Sequence, residues 1–304
     1  MYLQKNTSIC LLHAISPVHA GSGSATGAVD LPIQRERHTG WPHIQASGVK
    51  GAFRDHCERV WMQRDIDIDQ IVEKEKKERA IELGNRIFGQ SKGDNPQAGA
   101  VSFSDARLLA FPIRSSAAPF VWVVCPALLK RLARDLALAG MDNAAIASAE
   151  VEADNYCTLR GDISGQVVLE DICLSPRQED CPEVSTVMEQ LVPDVDRLLL
   201  IPDDHFSFLM ETATEIQAQI KIDPKTGTSN EGLRYEELLP ADSVLYSVVF
   251  FGDERADQEN MIVLDTLKNA VKKAASSHIQ MGGDLTLGRG IFQIAWKDAE
   301  GGAA

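Results

Sequence analysis

Residues 7–28 read TSICLLHAISPVHAGSGSATGA and change character half-way. Thr7–Ile15 is apolar, with β-branched residues early, and predicts a strand entering a core. Ser16–Ala28 is rich in Gly, Ser and Ala, whose small side chains let a backbone approach a ligand closely. The segment Asp30-Leu31-Pro32-Ile33-Gln34-Arg35-Glu36 that follows is extended, because Pro32 disfavours helix at Leu31. Ser47-Gly48-Val49-Lys50-Gly51-Ala52-Phe53-Arg54 then opens a helix, with Ser47 as the expected N-cap and Val49, Phe53 and Val60 facing inward.

Working outward from this unit, Val101–Ile113 and Phe120–Cys125 are expected strands. Pro126 and Gly140 bracket a helix carrying Leu128, Leu129, Leu132 and Leu136. Further strands are expected at Gln166–Leu174, Val244–Phe251 and Ile291–Trp296, with a helix over Met261–Ser277. Two strand–helix units with returning strands imply an α+β core of ferredoxin-like type carrying insertions. One insertion, about 61–100, joins the charged stretch RDIDIDQIVEKEKKER to the loop QSKGDNPQA. The other, about 176–240, is polar and irregular and carries a hairpin arm with its tip at Lys221–Ser229. The 304 residues are read as one domain.

Lys and Arg total 30 against 44 Asp and Glu, a net charge of −14. That balance argues against binding RNA, DNA or anionic membrane over the whole surface, since phosphate neutralisation needs an excess of basic side chains where the polymer lies. The charge is uneven, however. The first 60 residues hold six basic and four acidic side chains, a net of +2, and five of the seven histidines. Polar chemistry is therefore expected near the N-terminus. No apolar run reaches the roughly 18 residues of a membrane span, and the first residues do not read as a secretion signal, so a cytoplasmic protein is expected. The six cysteines form no C-x-x-C pair and indicate neither a zinc site nor a disulfide framework.

Near the other end lies Gly282–Gly290, GGDLTLGRG. It runs from helix to strand without the Lys and Ser/Thr of a P-loop, and it lacks the dinucleotide fingerprint. Two readings stay open on these residues: a tight connection with several positive-φ positions, or a backbone-lined anion site with Arg289.

The loop His19-Ala20-Gly21-Ser22-Gly23, the segment Val29–Glu36, the helix start Ser47–Arg54 and the terminal Gly282–Gly290 loop, in this order, resemble the RAMP superfamily of CRISPR proteins. More narrowly they resemble the repeated backbone subunit of type III-B (Cmr) effector complexes. The resemblance implies a modified RNA-recognition (RRM), ferredoxin-like fold with a β-hairpin thumb. It implies a subunit that self-associates along a guide RNA with other Cmr-type subunits, and an endoribonuclease that cleaves complementary target RNA at regular intervals with Mg2+ or Mn2+. Asp30 falls on the family's catalytic aspartate and is the expected metal ligand. Lys50 and Arg54 fall where the family contacts the guide backbone, and Gly282, Gly283, Gly288, Arg289 and Gly290 are expected to lie nearby against RNA.

The chemistry of these residues fits that role. A helix N-terminus behind glycines offers free N–H groups and a favourable dipole for phosphate. Mg2+ commonly uses only one or two carboxylates beside substrate phosphate oxygens. His19 suits a general acid or base, or a phosphate donor; a loop histidine merely hydrogen-bonded to its surroundings is the plainer alternative. Tyr235 and Glu236, at the thumb's return, are read as a base-stacking ring and a metal-supporting carboxylate, against the alternative of ordinary turn residues. Two other functions stay open: a non-catalytic RNA-binding scaffold of the same complex, and a nucleotide-binding enzyme using the glycine loop.

Overall fold

The computed structural model describes residues 3–24, 27–63, 68, 75–90, 96–141, 143–255 and 261–299. Four strands make the centre of its main sheet, in the spatial order Ile291–Lys297, Thr7–Ala14, Val244–Phe251, Ala106–Arg114, each antiparallel to its neighbour. Numbered along the chain this order is 4-1-3-2. The helix Ala46–Gln63 lies between the first and second of these strands, and Leu264–Ala274 between the third and fourth. That is the β-α-β-β-α-β arrangement of a ferredoxin-like fold.

The first strand is central because both its faces are covered. Every residue from Thr7 to Leu12 is buried, and only His13 is partly exposed. A continuous apolar run, rather than alternation, is what such a strand needs. The long helix buries Val49, Phe53, Cys57 and Trp61, four residues apart on one stripe. Phe53 is wholly buried, its ring 4.8 Å from Phe103 and 5.9 Å from Trp296, so it ties the helix to two distant strands.

Beyond Ala106–Arg114 the sheet continues through Phe120–Val124, Leu198–Leu200, Asn155–Arg160, Ile172–Pro176 and Val167–Leu169, while His278–Gln280 lines the opposite edge. The helix Pro126–Leu138 has Pro126 in its first turn and Gly140 at φ +74° just past its end, as its sequence requires.

Three expectations need revising. Residues 176–240 are not all arm. They include the helices Pro182–Leu191 and Asp203–Thr212 and the strand Leu198–Leu200, which bury Val184, Met188, Leu191, Phe206, Leu209 and Met210 in the core. Their apolar stripe is hidden among acids and prolines, so composition reads them as irregular. The arm proper is Glu215–Ile222 paired with Ser229–Leu238. Gln166–Leu174 is two strands, turned at Glu170 with φ +51°. The long helix begins at Ala46, whose N–H donates to the Asp105 carboxylate at 2.7 Å, so Asp105 and not Ser47 caps it. The charged stretch 64–74, apart from Ile68, and the loop 91–95 lie outside the described residues.

Phe53→Ala is expected to cost about 3–5 kcal/mol by chemical denaturation, a large aromatic lost from a filled core. Gly51→Ala, on the exposed face of the same helix with open space around the added methyl, is expected to stabilise by about 0.5–1 kcal/mol.

Candidate active site

Three consecutive residues at the foot of the arm, Tyr235, Glu236 and Glu237, gather the rest of the site. The extended segment 30–33 lies alongside them. The N–H groups of Asp30 and Leu31 both donate to the Tyr235 carbonyl at 3.1 Å, and Glu237 N–H donates to the Leu31 carbonyl at 3.0 Å. On the segment's other side, Ser22 and Gln34 close backbone bonds with Pro32 and Ala20. The segment is thus held by main chain on two sides, with Asp30 itself bonded to Tyr235. Its Oδ2 accepts the Tyr235 N–H at 2.7 Å, and its second carboxylate oxygen has no partner among the described residues.

His19 sits one layer over. Its Nδ1 lies 2.9 Å from the Glu237 carbonyl and 3.5 Å from Glu236 Oε1. A carbonyl only accepts, so Nδ1 carries the proton and Nε2 is left as the basic nitrogen. That nitrogen faces Gly21, where a Cβ would stand 2.7 Å from it. Gly283 flanks the ring, and its N–H donates to the His19 carbonyl at 2.8 Å.

Glu236 is 2 % exposed. Its carboxylate accepts from Arg289 Nη1 and from Gln219. Arg289, itself buried, also donates to Asp284 at 2.6 Å and to Gln217 at 2.8 Å. Glu237 is a second buried acid, fixed by Arg35, Thr214 and the Ile33 N–H. The glycine loop closes the assembly: Gly290 N–H donates to the Pro17 carbonyl at 2.9 Å, and Gly282, at φ +94°, lies so near the His19 carbonyl that a Cβ would come within 2.6 Å.

Several expected roles change on this geometry. Arg289 is spent on Glu236, Asp284 and Gln217 and is not presented to an anion. Glu236 is neutralised and enclosed, so it neither meets RNA nor supports a metal; it supports Arg289 and His19. Gly290 is buried; Gly282 and Gly283 are exposed on one side and pack on His19 with the other, and Gly288 is exposed with open space around it. Arg54 donates to Glu58 at 2.8 Å, to the Gly89 carbonyl at 2.7 Å and to Asn85 at 2.6 Å, tying the long helix to Lys76–Phe88 instead of reaching a phosphate.

Lys50 has no ion-pair partner among the described residues, and partial burial, then the nearby Arg54 charge, pull its pKa down. Ser47, Gly48 and Gly51 are exposed on the same first turns. Tyr235 is 40 % exposed and lies on the arm face that carries Ile216, Ile220 and Leu233, each more than half exposed. Arg35, Gln217 and Asp284 were missed from sequence, and Glu237, beside Glu236 at the thumb's return, was given no role. Their one signal was a run of two acids at the foot of a hairpin, matched by an arginine in the extended segment.

Among the described residues, no group of three or more His, Cys, Asp or Glu side chains is arranged to hold a metal. A single carboxylate with one uncommitted oxygen, Asp30, fits a Mg2+ or Mn2+ ion that draws its remaining ligands from water and substrate phosphate.

Residues 11–293 match the RAMP superfamily. The chain belongs to that superfamily. Among relatives of this RAMP protein, the CRISPR system Cmr endoribonuclease Cmr4 of Pyrococcus furiosus is 33% identical over 312 residues, covering 94% of each chain. The crystal structure of oligomeric Cmr4 from Pyrococcus furiosus superposes with a TM-score of 0.69 at 26% identity, over 96% of this chain and 98% of that one. A chain of the type III-B Cmr-beta complex in its apo state shares the fold, with a TM-score of 0.75 at 22% identity over the whole of both chains.

The RAMP chain's two neighbouring helix cations should separate in a denaturation experiment. Arg54→Ala is expected to cost about 1–2 kcal/mol, because it strands three acceptors, and Lys50→Ala to stay within about 0.5 kcal/mol of the parent.

Proposed function

We propose that this chain is the RNA-guided endoribonuclease backbone subunit of a type III-B CRISPR effector complex. It binds guide RNA, associates with further copies of itself and with other Cmr-type subunits along that RNA, and cleaves complementary target RNA at regular intervals. The observation that carries this reading is the arrangement built by Tyr235–Glu237: an aspartate anchored on Tyr235 with one uncommitted carboxylate oxygen and, two residues along the same strand, a histidine whose Nδ1–H is fixed on Glu237. The 33% identical relative, which bears the name endoribonuclease, supports it.

Cleavage on this reading is attack by the target's own 2′-OH on the adjacent phosphate. The 2′-O–P bond forms as the P–O5′ bond breaks, leaving a cyclic phosphate and a 5′-OH. His19 Nε2 accepts the 2′ proton or returns one to the departing 5′ oxygen. The Glu237 carbonyl holds the imidazole in one tautomer, and the Glu236 carboxylate lies 3.5 Å from the same nitrogen. Arg289 and Gln219 hold that carboxylate in place. Asp30 would hold Mg2+ or Mn2+, which supplies positive charge to the scissile phosphate oxygens. Tyr235 offers a ring for a base of the splayed target. With Arg54 and Arg289 committed internally, the guide phosphates meet Lys50 and the glycine-lined first turns of the long helix, where small residues let a nucleic-acid backbone come close.

In the assembled complex, Asp30→Asn is expected to lower target cleavage at least about a hundredfold, the scale of a lost catalytic group, while target binding is kept. Cleavage at the parent rate would refute the assignment, and loss of cutting with 3′-OH products from the residual activity would refute the 2′-OH mechanism. Lys50→Ala is expected to weaken guide binding and to reduce its salt dependence by about one phosphate contact, read from affinity against salt concentration.

A further inference from the structure

A second basic surface lies on the helix Pro126–Leu138, away from Lys50. Lys130 and Arg134 are exposed on it one turn apart, with the partly exposed Arg131 between them, and the one acid of the helix, Asp135, is 1% exposed. Asp135 is satisfied from within. Arg107 Nη1 donates to it, Arg134 donates to its Oδ1 at 3.2 Å, and the buried Tyr246 hydroxyl donates to its Oδ2 at 2.8 Å. Two guanidinium groups thus share one carboxylate.

The turn 36–41 packs against the same helix. Arg131 Nη1 donates to Glu36 at 2.6 Å, and its guanidinium lies 5.0 Å from the centre of the Trp41 ring. The Thr39 hydroxyl donates to Glu36 as well, at 2.7 Å. The next two residues, Arg37 and His38, are exposed. Neither Arg37 nor Lys130 has an ion-pair partner among the described residues. The cations Arg37, Arg107, Lys130, Arg131 and Arg134 therefore meet only the carboxylates of Glu36 and Asp135, a local positive excess on a chain of net charge −14. The border toward the helix Asp203–Thr212 is acidic: Asp203 accepts the Ala127 N–H at 2.9 Å, and Glu211 lies beside Gly40.

The chain itself ties this surface to the candidate site. Asp30 and Glu36 are the two ends of one segment, ~20 Å apart when fully extended. The surface is also on the other side of the sheet from Lys50. The long helix packs through Phe53 on Trp296, which pairs with Cys10, whereas Asp135 is bonded to Tyr246, which pairs with Leu11. Cys10 and Leu11 are neighbours on one strand, so their side chains point to opposite faces.

Resting on the reading of this chain as an RNA-guided endoribonuclease subunit, we propose that the surface built by Arg37, Lys130 and Arg134 is a subsite for the phosphates of the target strand flanking the cut. The target is its occupant because the segment leading to it starts at Asp30, where the target phosphate reacts, while the guide meets Lys50 across the sheet. Contacts of this kind hold the backbone and read no base. They keep the target strand in register beside the site whatever its sequence.

The test uses the assembled, guide-loaded complex and the double variant Arg37→Gln with Lys130→Gln, two exposed side chains with no ion pair to lose. Affinity for a complementary RNA is read against salt concentration, for two different guide and target pairs. Each lost phosphate contact lowers the slope of log affinity against log salt by about 0.7–0.9. The expected result is a slope shallower by about 1.5 for each copy bearing the change, the same for both sequences. An unchanged target slope would overturn the proposal. So would a loss confined to guide affinity, which puts the guide on this surface, or failure of the variant copies to join the complex, which assigns it to an acidic protein surface. Binding and cutting by the parent complex are measured alongside: their absence removes the reading of the chain itself, whereas a parent that cuts and a variant that keeps its slope refute the subsite alone.

Discussion

The site depends on one buried ion pair, Glu236 with Arg289. The two residues come from chain segments more than fifty positions apart, and each is enclosed by protein. Taking both charges out of water is costly, and the cost is met only when every remaining hydrogen-bonding position is filled. Here Gln219 also donates to Glu236, and Asp284 and Gln217 accept from Arg289. The pair therefore fixes the terminal glycine loop against the foot of the arm, and the loop in turn fixes the His19 segment through Gly283 and Gly290. Three regions remote in sequence acquire one geometry from one contact.

That constraint also explains how an acidic protein presents a nucleic-acid surface. A net charge of −14 belongs to a chain whose best-placed arginines are already paired internally. Arg35, Arg54, Arg131 and Arg289 each hold a carboxylate, and the first, second and last of them also bind backbone or amide oxygens that organise the fold. On the proposed reading phosphate meets Lys50, the open first turns of its helix and the exposed arm, and such a local contact gains from repetition, each copy adding a short stretch along the same strand.

The ferredoxin-like centre was legible in the sequence because its signals are local. Thr7–Ile15 is too continuously apolar to be anything but a covered strand, and Val49, Phe53 and Cys57 repeat at helical spacing. The helices within 182–212 were not legible, since their apolar stripe is diluted by surface acids and its burial depends on a sheet extension formed by distant strands. At the site, the loop residues Asp30 and His19 stood out by type and setting. The roles of Arg54, Arg289 and Glu236 did not: a lysine or arginine on a helix reads alike whether its partner is phosphate or a carbonyl thirty-five residues on, and only packing decides. Glycines 282 and 290 announced positive φ, yet what they approach is the protein's own backbone at His19 and Met281.

The central claim, that the Glu236–Arg289 pair has both a structural and a catalytic duty, is tested most directly by a double-mutant cycle with Glu236→Gln and Arg289→Met. Stability of the chain and target cleavage by the assembled complex are both read. Each single variant unbalances the buried pair and should lose about 3–5 kcal/mol, while the double variant, in which only the part-exposed Asp284 has lost its cation, should regain most of that loss. Cleavage should not return with the fold, because His19 has lost the carboxylate beside its Nδ1. A double variant that folds and cleaves at the parent rate would contradict the account.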